Sequence, residues 1–172
     1  MKRFCIAALV ALAGITAITP SAHAIGVMAS WWNIDEANQD GFGFGLRQKT
    51  QIVPLISIDT RASWIKFSDA DLQVFPIEVT GMVRLGMLYA GLGGGYYIFD
   101  ADQGDLDNNF GWYLVGGIDI SVSKFGVFGE VKWTQLSADY KDVDPNLSDV
   151  PTSLEADGIG FNLGVMFGVP GM

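Results

Sequence analysis

The chain has 172 residues, of which 17% are charged, and a formal net charge of −9 at pH 7. This length fits a single domain. The acidic balance argues against a nucleic-acid partner, because contacts to phosphates need clustered Lys and Arg side chains.

The first 24 residues have the pattern of a cleaved export signal. Residues 2–3 are Lys and Arg, residues 4–18 form an apolar run, and residues 22–24 give the A-x-A cleavage site Ala-His-Ala. The apolar run is shorter than the roughly 20 residues that a spanning helix needs. We therefore predict that residues 1–24 are removed on export. The remaining domain, residues 25–172, then has no cysteine and no histidine, which excludes a disulfide, a thiol nucleophile and a histidine-based metal site.

The rest of the chain alternates between apolar and other residues with a period of two, which is typical of β-strands. The mean hydropathy of the whole chain is positive, yet after residue 24 no apolar run reaches the length of a membrane-spanning helix. We predict eight strands. In chain order they are residues 25–34, 41–53, 55–67, 73–85, 88–99, 110–122, 125–137 and 158–169.

Seven of the predicted strands separate a bulky apolar face from a face of glycine, polar and charged residues. In residues 41–53, for example, Phe42 and Phe44 flank Gly43. The strand 25–34 is less regular, and its faces are not assigned. The charged residues of the polar faces are Arg47, Lys49, Asp59, Arg61, Glu78, Arg84, Asp119, Glu130 and Lys132.

Two arguments place the polar face inside a barrel. The interior of an eight-stranded barrel is only just wide enough to be filled by side chains, so the bulky face would overfill it. The charges of the polar face also nearly balance, and buried charges persist when they are paired. We therefore predict that these charged residues form a structural ion network in the lumen and that the apolar face meets lipid. A secreted, soluble, lipocalin-like barrel with its apolar face inward is the alternative.

The predicted connections alternate between long and short along the chain. The long ones are residues 35–40, 68–72, 100–109 and 138–157. The short ones fall near Pro54, Gly86 and Ser123-Lys124. Short turns at one rim and longer, acid-rich loops at the other are typical of bacterial outer-membrane barrels. We predict that the short turns and both termini lie in the periplasm and that the long loops are extracellular.

Three stretches carry a resemblance to a known family. They are YAGLGGGYY at residues 89–97, FGEVKWT at residues 128–134 and GIGFNLGVMFGV at residues 158–169. Their spacing of glycines and aromatics resembles the small outer-membrane β-barrel superfamily, which includes the OmpA transmembrane domain and the opacity adhesins. The resemblance covers residues 25–169. It implies an eight-stranded, antiparallel, up-and-down transmembrane β-barrel in the outer membrane of a Gram-negative cell.

The same resemblance implies a set of partners. These are outer-membrane lipid and lipopolysaccharide, together with the barrel-assembly machinery and periplasmic chaperones during biogenesis. We expect a monomer without a cofactor. Family members commonly end on the aromatic residue that closes the last strand, whereas here five further residues follow Phe167. The residues expected to form the assembly signal are Phe161, Leu163, Val165 and Phe167.

The sequence offers little for catalysis or cofactor binding. Outer-membrane barrels that are enzymes place a histidine in the catalytic group, and the predicted domain has none, so we expect no enzymatic activity. The glycine runs lack the third glycine of a nucleotide-binding GxGxxG motif, since Tyr96 and Leu46 stand in its place. The acidic run at 100–107 has Asp105 and Gly111 where a calcium loop needs Gly and Glu. We therefore expect a solvated acidic loop without a metal ion.

Two classes of function remain open from the sequence. One is a structural or surface-interaction barrel of the cell surface, comparable to an adhesin or opacity protein. The alternative is a small-solute channel or porin of the outer membrane. A lumen full of charge pairs and eight strands favour the first, because a barrel of this size leaves little free space.

Overall fold

The computed structural model describes residues 23–35, 39–67, 72–101, 108–139 and 153–168. Residues 1–22 of the predicted signal segment therefore lie outside the described residues. Within these ranges, no helix is both long and apolar enough to cross a membrane. The strands are β1 His23–Ile34, β2 Gln39–Val53, β3 Ile56–Phe67, β4 Leu72–Leu85, β5 Leu88–Ala101, β6 Asn109–Val122, β7 Phe125–Gln135, β8 Ser137–Asp139, β9 Ser153–Glu155 and β10 Gly158–Phe167.

Eight of these strands close into an antiparallel barrel, in the order β1-β10-β7-β6-β5-β4-β3-β2. Each barrel strand pairs with the barrel strands that precede and follow it in the sequence. The first and last strands, β1 and β10, pair with each other in a continuous register in which Val27 lies opposite Val165. This arrangement confirms the predicted eight-stranded up-and-down barrel.

The prediction of one long loop at residues 138–157 was wrong at both of its ends. The hairpin of β8 and β9 lies there, and it keeps the register of the β7–β10 ladder, with Ser137 opposite Glu155 as Thr134 is opposite Gly158. The ladder is interrupted at Leu136, whose side chain is buried and whose backbone N–H donates to the Asp157 carboxylate at 2.7 Å. Strand β7 accordingly ends at Gln135, two residues earlier than predicted.

Three two-residue connections lie at the opposite end of the barrel, where the sequence predicts short turns. They join β2 to β3, β4 to β5 and β6 to β7. Gly86 has a φ of 64° and Ser123 a φ of 59°, as hairpin turns that match the twist of the strands require. We call this rim the turn end and the opposite rim, which carries the long connections, the loop end.

The outer face of the barrel is largely apolar. On β6, for example, Phe110, Leu114, Ile118 and Val122 point outward and are exposed. Twelve residue steps at about 3.3 Å, tilted by about 40°, give a band roughly 30 Å tall, which matches the hydrocarbon core of a bilayer. Pairs of aromatic rings cover this face near the loop end, including Trp31–Phe161, Phe44–Trp64 and Trp112–Trp133.

The structure also assigns the faces of β1, which the sequence pattern left open. Ile25 and Val27 point outward and are exposed, whereas Met28 and Trp32 are buried inside the barrel. Every barrel strand therefore contributes side chains to the inside of the barrel. This lumen is the candidate functional site.

Candidate functional site: the lumen

Four fully buried charged side chains form the central layer of the lumen. Arg47 on β2 and Arg61 on β3 both bind the Asp59 carboxylate, at 2.6 and 2.9 Å. Both arginines also pair with Glu130 on β7. Each of these four side chains has 0% relative exposure. Two positive and two negative charges thus neutralise one another in a site that is closed to water.

Glu130 is the acceptor on which this layer converges. Its carboxylate accepts hydrogen bonds from Arg61, from the Tyr89 hydroxyl at 2.6 Å and from the Asn162 amide at 2.8 Å. Strand β7 is diametrically opposite β3 in the barrel order. The contact between Arg61 and Glu130 therefore spans the whole cross-section of the lumen. A carboxylate with this number of donors is well compensated for its burial.

A second ion pair lies on the loop-end side of this layer. Lys132 on β7 donates to the Glu78 carboxylate at 2.6 Å, and the Tyr97 hydroxyl donates to the same oxygen at 2.8 Å. The ammonium group also lies 5.2 Å from the centre of the Tyr113 ring and 5.8 Å from Trp32. Aromatic faces stabilise a desolvated cation, so this pair is embedded in an apolar surrounding.

The third group lies at the turn end and is less buried. Lys49 on β2 donates to the Asp119 carboxylate on β6 at 2.8 Å, again across opposite strands. Arg84 lies 3.6 Å from the same carboxylate oxygen, and Ser121 donates to the other oxygen at 3.0 Å.

All nine charged residues singled out in the sequence face the lumen, but they make three groups. A single network of all nine, as the sequence predicts, would let Glu78 share partners with Arg47 and Arg61. Glu78 lies directly opposite Arg61 in the β3–β4 ladder, yet its carboxylate binds Lys132. The guanidinium of Arg61 extends instead across the lumen to Glu130, where it completes the neutral central layer. The ion-pair partner of a lumen residue thus depends on its depth along the barrel axis and on the length of its side chain, as well as on its neighbours in the ladder.

Apolar side chains inside the barrel are a feature that the sequence analysis missed. We expected an interior of glycine, small polar and charged residues. At the loop end, however, one buried apolar cluster fills the lumen, and we call it the apolar cap. Its members are Trp32, Ile34, Ile65, Phe67, Leu72, Val74, Tyr97, Phe99, Leu136 and Ala156. A smaller cluster around Phe128 packs Ala24, Met28 and Met166.

The sequence contains a pattern that indicates the apolar cap. Near the long connections the alternation fails, because neighbouring residues are both apolar, as in Trp31-Trp32, Trp64-Ile65 and Val74-Phe75. A strand that is apolar on both faces is buried on both. In a membrane barrel this means that one side chain faces lipid and its neighbour faces a dry part of the lumen.

Inward-facing glycines make room for the large lumen side chains. At Gly93 on β5, a Cβ atom would lie 2.5 Å from the hydroxyl oxygen of Tyr113. The Tyr113 hydroxyl is within 2.5 Å of the Thr80 hydroxyl on the far side of β5, so its ring crosses the glycine strand. The GLGGG run thus serves the packing of the lumen.

The remaining sequence predictions concern metal ions and assembly. Among the residues that the structure describes, no group of three or more His, Cys, Asp or Glu side chains could hold a metal ion. The acidic run 100–107 lies outside the described residues from residue 102 onward. The four residues of the predicted assembly signal all point outward on β10, and Phe167 contacts Phe125 with ring centres 5.3 Å apart.

An apolar outer face around a closed and charged interior defines a transmembrane β-barrel. The chain is similar to the crystal structure of the outer membrane protein OprG from Pseudomonas aeruginosa, with 14% identity, a TM-score of 0.64 and coverage of 86% of this chain and 95% of that one. It is also similar to the crystal structure of Neisserial surface protein A, with 10% identity, a TM-score of 0.62 and coverage of 85% and 95%.

A third similar structure is that of outer membrane protein AlkL, solved by solid-state NMR in lipid bilayers, with 13% identity, a TM-score of 0.59 and coverage of 88% and 92%. These likenesses establish the fold, that of the small outer-membrane barrels. No protein-family model and no curated protein matches the chain. The narrower resemblance to OmpA and the opacity adhesins stays a prediction.

Proposed function

We propose that this chain is an integral outer-membrane protein with a closed lumen, which acts through its structure and its cell-surface loops and catalyses no reaction. The contact between Arg61 and Glu130 carries this proposal. It joins opposite walls of the barrel at the level where all surrounding charged side chains are fully buried. A lumen closed in this way supports neither solute passage nor access of a substrate to the buried groups.

The energetics of the central layer favour a closed lumen. A solute moving along the axis would have to separate Glu130 from both Arg47 and Arg61, which would then share Asp59 on their side of the lumen. Leaving a buried charge without its ion-pair partner costs about 3–5 kcal/mol when the site is dry. The apolar cap adds a second obstruction at the loop end. These two layers favour a surface or structural role over the small-solute channel.

The exposed rim at the loop end supports a role at the cell surface. Asp35, Asp40 and Glu155 are exposed there, and most acids of the chain lie in the long connections. We propose that lipopolysaccharide and the lipid of the outer membrane surround the barrel, which inserts as a monomer with help from periplasmic chaperones and the barrel-assembly machinery. A surface partner at the loop end would meet a negatively charged rim.

Conductance across a planar bilayer tests the closed lumen. We expect the purified full barrel to give no steady conductance steps. The variant Arg61→Ala/Glu130→Ala/Phe67→Ala, which opens both the central layer and the apolar cap, should conduct more than the wild type. Leu163→Ala, a lipid-facing change at a similar depth in the barrel, is the matched control and should give no conductance steps. Steady conductance of the wild type would contradict the proposal and favour the channel.

A loop deletion tests the surface role separately. Replacing residues 140–152 by a two-residue Asn-Gly turn leaves β8, β9 and the contacts of Leu136 in place, since Asp139 and Ser153 are directly paired. We expect cells that carry this variant to attach to epithelial cells and to one another less than cells with the intact protein. Unchanged attachment by a variant that is correctly inserted, as judged by its resistance to heat unfolding on gels, would contradict the surface role.

A further inference from the structure

The turn end of the lumen is positively charged in a chain that is acidic overall. Lys49 and Arg84 point into the lumen there, and Lys124 lies exposed in the turn between β6 and β7. Lys49 and Arg84 both pair with one acid at this end, Asp119, and Lys49 also lies opposite Asp59 of the central layer in the β2–β3 ladder. The sign of the charge is thus opposite to that of the acid-rich loop end.

The single carboxylate does not satisfy both cations. Its Oδ2 atom binds Lys49 Nζ at 2.8 Å, but Arg84 Nη1 is 3.6 Å away, beyond ordinary hydrogen-bond distance. Arg84 directs other N–H groups to the backbone carbonyls of Gly86 and Asp119. Two cations thus share one acid, and the group keeps one net positive charge. The Lys49 and Arg84 side chains are 11% and 19% exposed, so solvent reaches them from the turn end.

A buried hydroxyl lies on the same lumen face, close to Lys49 and Arg84 in the ladder register. Ser57 on β3 is 4% exposed, and its side-chain oxygen has no hydrogen-bond partner in the structure. Ser57 lies opposite Gln51 on β2 and Met82 on β4. Lys49 is two residues from Gln51, and Arg84 is two residues from Met82. Such diagonal neighbours are about 7–8 Å apart. A buried hydroxyl without a partner costs free energy, which a ligand with acceptor oxygens would recover.

We propose that these residues, Lys49, Ser57 and Arg84 with Asp119, form a binding site for a phosphate group, here called the turn-end mouth. Arg84 offers its free guanidinium N–H groups, Lys49 offers a further N–H and positive charge, and the Ser57 hydroxyl donates a third hydrogen bond. Guanidinium and ammonium groups together with a hydroxyl are the donors that phosphate oxygens accept from in proteins.

Two sources share this chemistry, a free phosphate ion and the headgroup of an anionic phospholipid. The surroundings of the mouth suit the headgroup, because two of the three turns carry an exposed apolar residue and the adjoining strand ends are apolar. Leu55, Leu85, Met87 and Val122 are all exposed at this rim. Acyl chains packing against them would bring a headgroup to the level of Arg84.

Calorimetric titration of the full barrel in nonionic detergent with inorganic phosphate tests the site. We expect saturable binding that is weakened at least tenfold in Arg84→Gln and several-fold in Ser57→Ala. Ser57→Ala removes no contact that the structure records, so it remains informative even if Arg84→Gln fails to fold. Lys66→Gln, which removes a cation from the outer face near the loop end, should leave binding unchanged. Absence of phosphate binding, or binding unaffected by both mouth variants, would overturn the proposal.

A lipid experiment distinguishes the two sources. The barrel is reconstituted in nanodiscs with equal amounts of phosphatidylglycerol and phosphatidylcholine, and the lipids that it retains are identified by native mass spectrometry. If the headgroup is the ligand, the wild type retains phosphatidylglycerol preferentially and Arg84→Gln loses that preference, while Lys66→Gln keeps it. Phosphate binding without lipid preference supports the site with the free ion as its ligand.

Discussion

The guanidinium of Arg61 on β3 reaches the carboxylate of Glu130 on β7, the strand that stands opposite in the barrel. The pair acts as a strut between two walls that share no ladder. Its partners Arg47 and Asp59 make the layer electrically neutral. The stability of the barrel should therefore depend on side-chain contacts through its centre as well as on the hydrogen bonds around its circumference.

Removing one member of this strut should destabilise the barrel strongly. We expect Glu130→Ala to lower the free energy of unfolding by about 3–5 kcal/mol, because it leaves two buried arginines, Arg47 and Arg61, with Asp59 as their one remaining acid in the layer. Urea unfolding in lipid vesicles measures this loss. A double-mutant cycle should show coupling of Glu130 with Arg61 and with Arg47. Additive losses for both pairs would mean that the central layer is not a coupled network.

The same method separates the central layer from the Glu78–Lys132 pair. In the cycle of Glu78 and Lys132 we expect coupling, since their side chains are in direct contact. Glu130 and Lys132 are near neighbours in sequence but belong to different groups. Their cycle should therefore give a smaller coupling than the cycle of Glu78 and Lys132, and equal coupling in the two cycles would refute the division of the lumen into separate layers.

The depth of the outer face in the bilayer can be tested with two substitutions on β10. Leu163 is the more exposed of the two and lies far from both rims, whereas Ile159 lies near the loop end. Leu163→Arg should cost roughly 2–4 kcal/mol in lipid, against about 0–1 kcal/mol for Ile159→Arg nearer the interface. Unfolding in vesicles measures both, with Leu163→Ala as the control for lost volume. Equal costs, or a protein that stays soluble without detergent, would argue for a water-facing barrel.

The apolar cap predicts a difference between two phenylalanines on neighbouring strands. Phe67 on β3 is fully buried in the cap, whereas Phe42 on β2 is exposed on the outer face. Phe67→Ala should cost about 3–5 kcal/mol, because it leaves a cavity in a packed interior. Phe42→Ala should cost less, since lipid fills the space that the ring leaves. Similar unfolding free energies for the two variants would mean that the cap is not tightly packed.

The orientation of the barrel predicts where a protease can cut. A cleavage site placed at residues 146–149, between β8 and β9 and outside the described residues, should be cut on intact cells. A site at Ser123-Lys124 in the turn between β6 and β7 should be protected until the outer membrane is opened. Immunoblots of treated cells report both results. The reverse pattern would show that the turn end faces outward.

The period-two pattern predicted the number of barrel strands and the facing of most side chains. It worked because successive side chains of a strand point alternately to lipid and to the lumen. The pattern alone therefore assigns Phe42 to the outer face and Arg47 to the lumen. The apolar cap was missed because an inward Ile65 and an outward Trp64 are both apolar. Periodicity cannot distinguish a dry interior from lipid.

The pairing of the charged residues could not be predicted for a different reason. A strand pattern gives the face on which Arg61 and Glu78 lie, but their contacts depend on the stagger between strands and on the length of each side chain. Arg61 spans the lumen, whereas Glu78, its ladder neighbour, binds Lys132. The hairpin of β8 and β9 was missed because its few residues are too short for a period to be recognised.

The ladder between β1 and β10 joins the two strands that lie farthest apart in the sequence. An exported chain that has not yet delivered β10 can only form an open sheet, with the edges of β1 and β7 unpaired. Such edges are templates for pairing with other chains, and contacts of this sequence separation form slowly. Closure thus depends on the arrival of the final barrel strand, and until then the chain needs protection from aggregation during its passage to the membrane.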